Sequence, residues 1–143
     1  MKKKVLYSAV AVAVGLLGSA LGLAAESAKA ASPCTAGVCK VAVKITDCTA
    51  VGGVSVSPDP LLVDKPNNIV WEFVTPGYMF PPNGIIIGHD PKGELGKPVV
   101  APKGKKVTVH NKHKETNYKI YYAVNVTKND GTRCIPLDPW INN

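Results

Sequence analysis

The chain has 143 residues, with 17 basic and 10 acidic side chains, three histidines and four cysteines. After residue 30 the excess is 13 basic over 9 acidic side chains, too small to argue for a nucleic-acid partner. Twelve prolines and ten of the 13 glycines fall after residue 30, which leaves little room for helices and suits short strands joined by turns.

The first 30 residues read as a secretory signal peptide. Lys2, Lys3 and Lys4 form a basic start, Val5 to Leu23 is apolar and uncharged, and Ala28-Lys29-Ala30 offers a small-x-small cleavage site. Leu23-Ala24-Ala25 is an earlier competitor. An uncleaved membrane anchor is the alternative, but small residues dominate the run and a cleavage site follows it. Cys34 follows Pro33 and not a small-residue tripeptide, which argues against a lipid anchor. Residues 31–143 then form a single domain with 13 basic and 9 acidic side chains, a net charge of +4. Such a protein is periplasmic or secreted, with no stable membrane insertion after cleavage.

Cys34, Cys39, Cys48 and Cys134 all lie in this domain. An even count in an exported chain predicts two disulfides, and four cysteines allow three connectivities. The preferred pairing is Cys34–Cys39 as a local clip and Cys48–Cys134 as a long-range staple worth about 4 kcal/mol in the chain-entropy account. Zinc binding by the four is disfavoured, because the spacing lacks paired C-x-x-C knuckles.

The strands follow in chain order. Val41, Val43 and Ile45 alternate with Ala42, Lys44 and Thr46. Val54 and Val56 alternate with serines, and Leu61 to Val63 is a short extended piece. Ile69, Trp71 and Phe73 alternate with Val70, Glu72 and Val74, the clearest strand signal in the chain. Thr75-Pro76-Gly77-Tyr78 turns it, and Pro81-Pro82-Asn83-Gly84 leads into Ile85-Ile86-Ile87, three isoleucines that suggest a strand covered on both faces. After a polar loop from His89 to Lys97, Pro98 to Ala101 reads as an edge strand and Lys106 to His110 alternates again. Tyr118 to Val126 reads as the longest strand. Lys128-Asn129-Asp130-Gly131 is a hairpin-type turn, and Cys134 and Pro139-Trp140-Ile141 make the last strand. The expected fold is all-β, a disulfide-stapled Greek-key β-sandwich of seven or eight short strands.

Two segments carry a family resemblance. Tyr78-Met79-Phe80-Pro81-Pro82-Asn83-Gly84-Ile85-Ile86-Ile87 resembles the cupredoxin segment F-P-H-N with its apolar strand. Tyr118-Lys119-Ile120-Tyr121-Tyr122 resembles the strand that leads into the cupredoxin copper loop. The ending Leu137-Asp138-Pro139-Trp140-Ile141 is similar to that of small secreted cupredoxin-like proteins. The resemblance implies the sandwich but not the metal. Pro82 stands where the first copper histidine would be, Ala123 stands where the cysteine would be, and Val124 to Gly131 supplies neither the second histidine nor the methionine. A type 1 copper centre needs those imidazole and thiolate ligands. No cofactor is expected.

Three groups of residues are candidates for function. His110 and His113, with His89 as a third donor, could hold copper or zinc, although flanking lysines oppose a divalent cation and a solvated turn explains the pair better. Lys97, Lys103, Lys105, Lys106, Lys112 and Lys114 fall within 18 positions that contain no acidic residue. They suggest a basic face for an anionic partner from the cell envelope or outside it, or an edge strand guarded by charge. Tyr78, Met79 and Phe80 sit between Gly77 and a double proline, where their side chains either contact a partner or plug one end of the sandwich. Trp71, Phe73 and Tyr122 read as core.

Nothing in the sequence points to an enzyme. Ser32, Ser55 and Ser57 lie in no G-x-S-x-G elbow, the carboxylates are scattered, and the cysteines are expected to be oxidised. Asn125-Val126-Thr127 matches a glycosylation sequon by chance, within a strand. The reading is an exported, non-enzymatic binding protein on a copper-free cupredoxin-like scaffold; the alternative is an envelope copper- or zinc-binding protein.

Overall fold

A computed structural model describes residues 33–143. The signal-peptide reading of residues 1–30 and its cleavage sites lie outside the described residues. Within them the chain is all-β apart from one turn of 3-10 helix, Pro102–Gly104.

Twelve strands form in place of the seven or eight expected, because five are two-residue pairings that sequence alternation cannot reveal. The first sheet contains β1 (Cys34–Thr35), β2 (Val38–Ile45), β3 (Val54–Ser57), β5 (Asn67–Phe73), β8 (Val99–Val100) and β9 (Lys106–Asn111). Strand β2 is central. It takes β1 and β3 antiparallel along one edge and β5 in parallel along the other, and β9 and β8 continue the sheet. The second sheet runs β4 (Leu61–Leu62), β12 (Trp140–Asn142), β10 (Lys119–Val124) and β7 (Ile85–His89), with β4 and β12 parallel. A small ribbon pairs β6 (Tyr78–Met79) with β11 (Thr127–Lys128).

Alternation puts one side chain in two between the sheets. Val41, Val43, Ile69, Trp71, Val107 and Val109 from the first sheet meet Leu61, Ile120, Tyr122, Val124 and Ile141 from the second, all essentially inaccessible. Trp71 sits edge-on to Tyr122, centroids 5.3 Å apart, and its indole N–H donates to the Tyr122 hydroxyl at 3.4 Å. Burial pushes the Tyr122 hydroxyl pKa well above its ordinary value.

Both disulfides form as paired above. Cys34–Cys39 crosses the β1–β2 hairpin at directly opposed positions. Cys48–Cys134 joins the loop after β2 to the segment after β11, 86 positions apart, and the Ile135 N–H donates to the Cys48 carbonyl beside it. No helix among the described residues is long and apolar enough to cross a membrane.

Three expectations need correction. The longest strand is β2, at eight residues; β10 ends at Val124 because its edge then bonds to Leu137 and to Gly84 in turn. Cys134 lies outside β12. The isoleucine strand is not covered on both faces: Ile85 is buried, but Ile86 is 44% exposed on the outside of the second sheet.

Candidate functional site

The site is an open cleft of about 680 Å³ at one end of the first sheet, where β5 leaves it and β9 enters it. Phe73, Tyr78, Lys105 and Lys106 line it, with Glu72, Thr75 and the rings of Pro76 and Pro102 at its rim. A smaller recess of about 220 Å³ beside Asn125, Thr127 and Arg133 contains no aromatic ring.

Its floor is built from the chain turn after β5. The Thr75 hydroxyl accepts from the Ile45 N–H at 3.0 Å, which pins that turn to β2. Strand β6 is held on one side by β11 and on the other by the Phe80 N–H, which donates to the Gly104 carbonyl at 2.8 Å. Phe80 turns inward, 3% exposed, and stacks under Phe73 with ring centroids 4.2 Å apart. Phe73 is the last residue of its strand and only half-buried. Tyr78 tilts beside it at 6.5 Å. The cleft thus offers ring surface resting on a rigid apolar base.

Gly104 makes this approach feasible. Its φ is +63°, and a Cβ there would lie 2.5 Å from the Phe80 carbonyl oxygen and 3.0 Å from the Met79 Cβ. Any side chain would push β6 away from the sheet.

Two lysines share the lining with the rings. Lys105 is exposed, and its ammonium donates to the Tyr78 carbonyl at 3.4 Å. Lys106 is exposed and lies opposite Glu72 across β5 and β9. Among the described residues, neither the Lys106 ammonium nor the Tyr78 hydroxyl has a hydrogen-bond or ion-pair partner.

The sequence-derived candidates separate accordingly. Tyr78, Lys105 and Lys106 come together in the cleft; Met79 is half-buried, and Phe80 is the plug beneath it. Lys103 is exposed in the 3-10 turn and does not line the cleft. Lys112 and Lys114 follow the far end of β9, six residues and so about 20 Å away. There the Lys112 ammonium donates to the Gly93 carbonyl at 2.7 Å and the Lys114 N–H to the Glu94 carboxylate at 2.7 Å. The lysine run is therefore two separate groups and not one face.

The three histidines also separate. His89 is on the outside of the second sheet beside Tyr121, ring centroids 6.4 Å apart. His110 is on the outside of the first sheet, its Nδ1 3.1 Å from the Asn68 Oδ1. His113, beyond β9, has its Nδ1 3.1 Å from the Asn143 Oδ1. Among the described residues no group of three or more histidine, cysteine or acidic side chains could hold a metal ion.

Two features escaped the sequence reading. Phe73 packs against the core and also walls the cleft, a second role set by its place at the strand end. A buried polar cluster lies at the opposite end of the first sheet, where Glu94 is 2% exposed. Asp90 organises it: its carboxylate accepts from the N–H groups of Glu94 (3.1 Å) and Leu95 (2.8 Å), and the Tyr118 hydroxyl donates to it at 3.4 Å. Asn111 donates to the Asn143 side chain at 2.7 Å. The Asp90-Pro91-Lys92-Gly93 turn was the available signal, since aspartate before proline and glycine caps its own turn. Burial, and then the Asp90 and Glu94 charges, push the Tyr118 hydroxyl up to about 12.

Compared with known proteins, the chain matches no family model and no curated protein sequence.

Proposed function

We propose that this is an exported, non-enzymatic binding protein, a cupredoxin-like Greek-key sandwich without copper, whose aromatic–lysine cleft holds an anionic partner. One observation carries the reading. The cleft joins the ring faces of Phe73 and Tyr78 to the ammonium groups of Lys105 and Lys106, and Lys106 is without a partner among the described residues. Apolar ring surface with a few convergent polar groups is what a binding site requires, and two cations against the one carboxylate of Glu72 leave the cleft positive and favour an anionic ligand. The two disulfides support an oxidising compartment. Ala123 and Pro82, at the positions that match copper ligands, supply neither thiolate nor imidazole, which supports a metal-free scaffold.

The test is titration of the exported protein with polygalacturonate, poly-glutamate and phosphatidylglycerol vesicles at low and physiological salt. At least one should bind with salt-sensitive affinity, and Lys105→Ala/Lys106→Ala should weaken it at least tenfold. Lys112→Ala/Lys114→Ala should leave it unchanged. Binding to none of the three, or equal loss in both double variants, overturns the proposal.

A further inference from the structure

Of the 17 basic side chains in the sequence, one is an arginine, Arg133. It lines the smaller recess of about 220 Å³, which shares no lining residue with the aromatic–lysine cleft. Asn83, Asn125 and Thr127 line the recess with it, and the rings of Pro81 and Pro136 supply apolar surface. Among the described residues no acidic side chain lines it, and the Arg133 guanidinium has no ion-pair or hydrogen-bond partner. Its charge is therefore uncompensated, whereas Lys106 in the cleft has Glu72 opposite it.

The backbone around this guanidinium is fixed. Thr127 and Arg133 pair in an antiparallel bridge, and the Lys128 N–H donates to the Thr132 carbonyl at 2.8 Å. The Cys134 N–H donates to the Val126 carbonyl at 2.9 Å, and Cys134 is itself bonded to Cys48. Asn125 ties this segment to the turn before β7. Its side-chain amide donates to the Asn83 carbonyl at 2.8 Å and its N–H to the Gly84 carbonyl at 2.8 Å. The recess thus exists before any ligand arrives, and filling it costs little ordering. The Asn83 amide, the Asn125 Oδ1 and the Thr127 hydroxyl have no partner among the described residues, so they can still donate and accept.

We propose that this recess is a second binding site, which takes a small hydroxylated carboxylic acid about the size of one uronic acid unit. The guanidinium fork meets a carboxylate through two parallel N–H···O bonds, where an ammonium offers only a point charge. Ligand hydroxyls both donate and accept, as do the amide and hydroxyl groups beside Arg133. A volume of about 220 Å³ lies below the roughly 300–1,000 Å³ of pockets for drug-sized ligands, so the site admits one unit and not a chain. Phosphate or sulfate asks for more cations or for a nest of free N–H groups. Here Arg133 is the one cation in the lining, and the N–H groups of Asn125, Lys128 and Cys134 are already bonded. Binding at this site is independent of any ligand in the cleft.

Titration of the isotope-labelled protein with glucuronate, followed by heteronuclear NMR, tests the site. Saturable binding with a dissociation constant on the order of 1 mM is expected, with shifts at the Arg133 Nε–H and the Asn83 and Asn125 side-chain amides. Glucose, which lacks the carboxylate, and inorganic phosphate should each bind at least tenfold more weakly. Arg133→Gln should weaken glucuronate binding at least tenfold. Arg133→Lys, which keeps the charge and loses the fork, should weaken it at least threefold. Lys105→Ala/Lys106→Ala should leave it unchanged. Arg133 is exposed, so both of its variants should keep the parent thermal midpoint. Should either lower it, Asn83→Ala, at another exposed position, should still weaken binding at least threefold. No saturation by about 50 mM glucuronate overturns the proposal. So does binding untouched by Arg133→Gln, full retention in Arg133→Lys, equal binding of glucose or phosphate, or loss in the cleft variant.

Discussion

The Trp71 indole N–H and the Tyr122 hydroxyl meet across the interior at 3.4 Å, the one polar contact between the two largest side chains of the core. Each sits on a different sheet, so their bond fixes how the sheets register. Tyr122→Phe keeps the ring and strands the indole N–H in an apolar interior, a loss of about 1–3 kcal/mol. Urea unfolding should show a lower midpoint at an unchanged slope. Combining it with Trp71→Phe should cost less than the sum of the two single changes, because the second removes the orphan donor. Strict additivity would mean the bond contributes nothing.

Gly104→Ala should destabilise the fold by about 1–3 kcal/mol, from left-handed strain and from the clash with the Phe80 carbonyl. The same change should weaken ligand binding at the cleft, because β6 carries Tyr78. By contrast Gly131→Ala, also at positive φ but with nothing near its Cβ, should cost about 1 kcal/mol and leave binding intact. Equal binding losses in the two variants would detach Gly104 from the cleft.

Much of the fold was legible from alternation alone. Val41-x-Val43-x-Ile45, Ile69-x-Trp71 and Val107-x-Val109 each lie in strands with those residues inward. Both disulfides could be inferred because compartment and loop length limit the choices. What was hidden depends on where a strand sits in the sheet. Three consecutive isoleucines look alike, yet the outer face of the second sheet is uncovered and Ile86 lies on it, opposite Ala123. Six lysines in 18 positions look like one patch, yet β9 runs the length of the sheet and divides them. Glu94 looks solvated, and only the pairing of Leu95 with Asn111 brings its carboxylate to the Lys114 N–H. Such placement follows from long-range pairing, which local pattern does not encode.

The disulfides should contribute unequally. Cys48→Ser/Cys134→Ser opens a loop of 86 positions and should lower stability by about 4 kcal/mol in the entropy account. Cys34→Ser/Cys39→Ser opens one of five positions and should remove about 2 kcal/mol. Thermal unfolding of both variants and the parent checks the order. A larger loss from the short clip would show that native packing around Cys34 outweighs chain entropy.

Tyr118 should leave a signature at alkaline pH. Its hydroxyl donates to Asp90 at 3.4 Å, and burial followed by the Asp90 and Glu94 charges raises its pKa from 10.0 to about 12. Between those values the unfolded chain has released this proton and the folded chain still holds it. The unfolded state then binds fewer protons, so stability falls as pH rises through this window; below it the group contributes no slope. Lysines titrate in the same range, so the informative quantity is the difference between wild type and Tyr118→Phe. The variant should lose less stability from pH 10 to 12, and Asp90→Asn should shift the Tyr118 phenolate absorbance to lower pH. Urea midpoints across this range, with the absorbance titration beside them, check both. Identical pH slopes in wild type and Tyr118→Phe would rule out a Tyr118 proton held more tightly by the fold than by the unfolded chain.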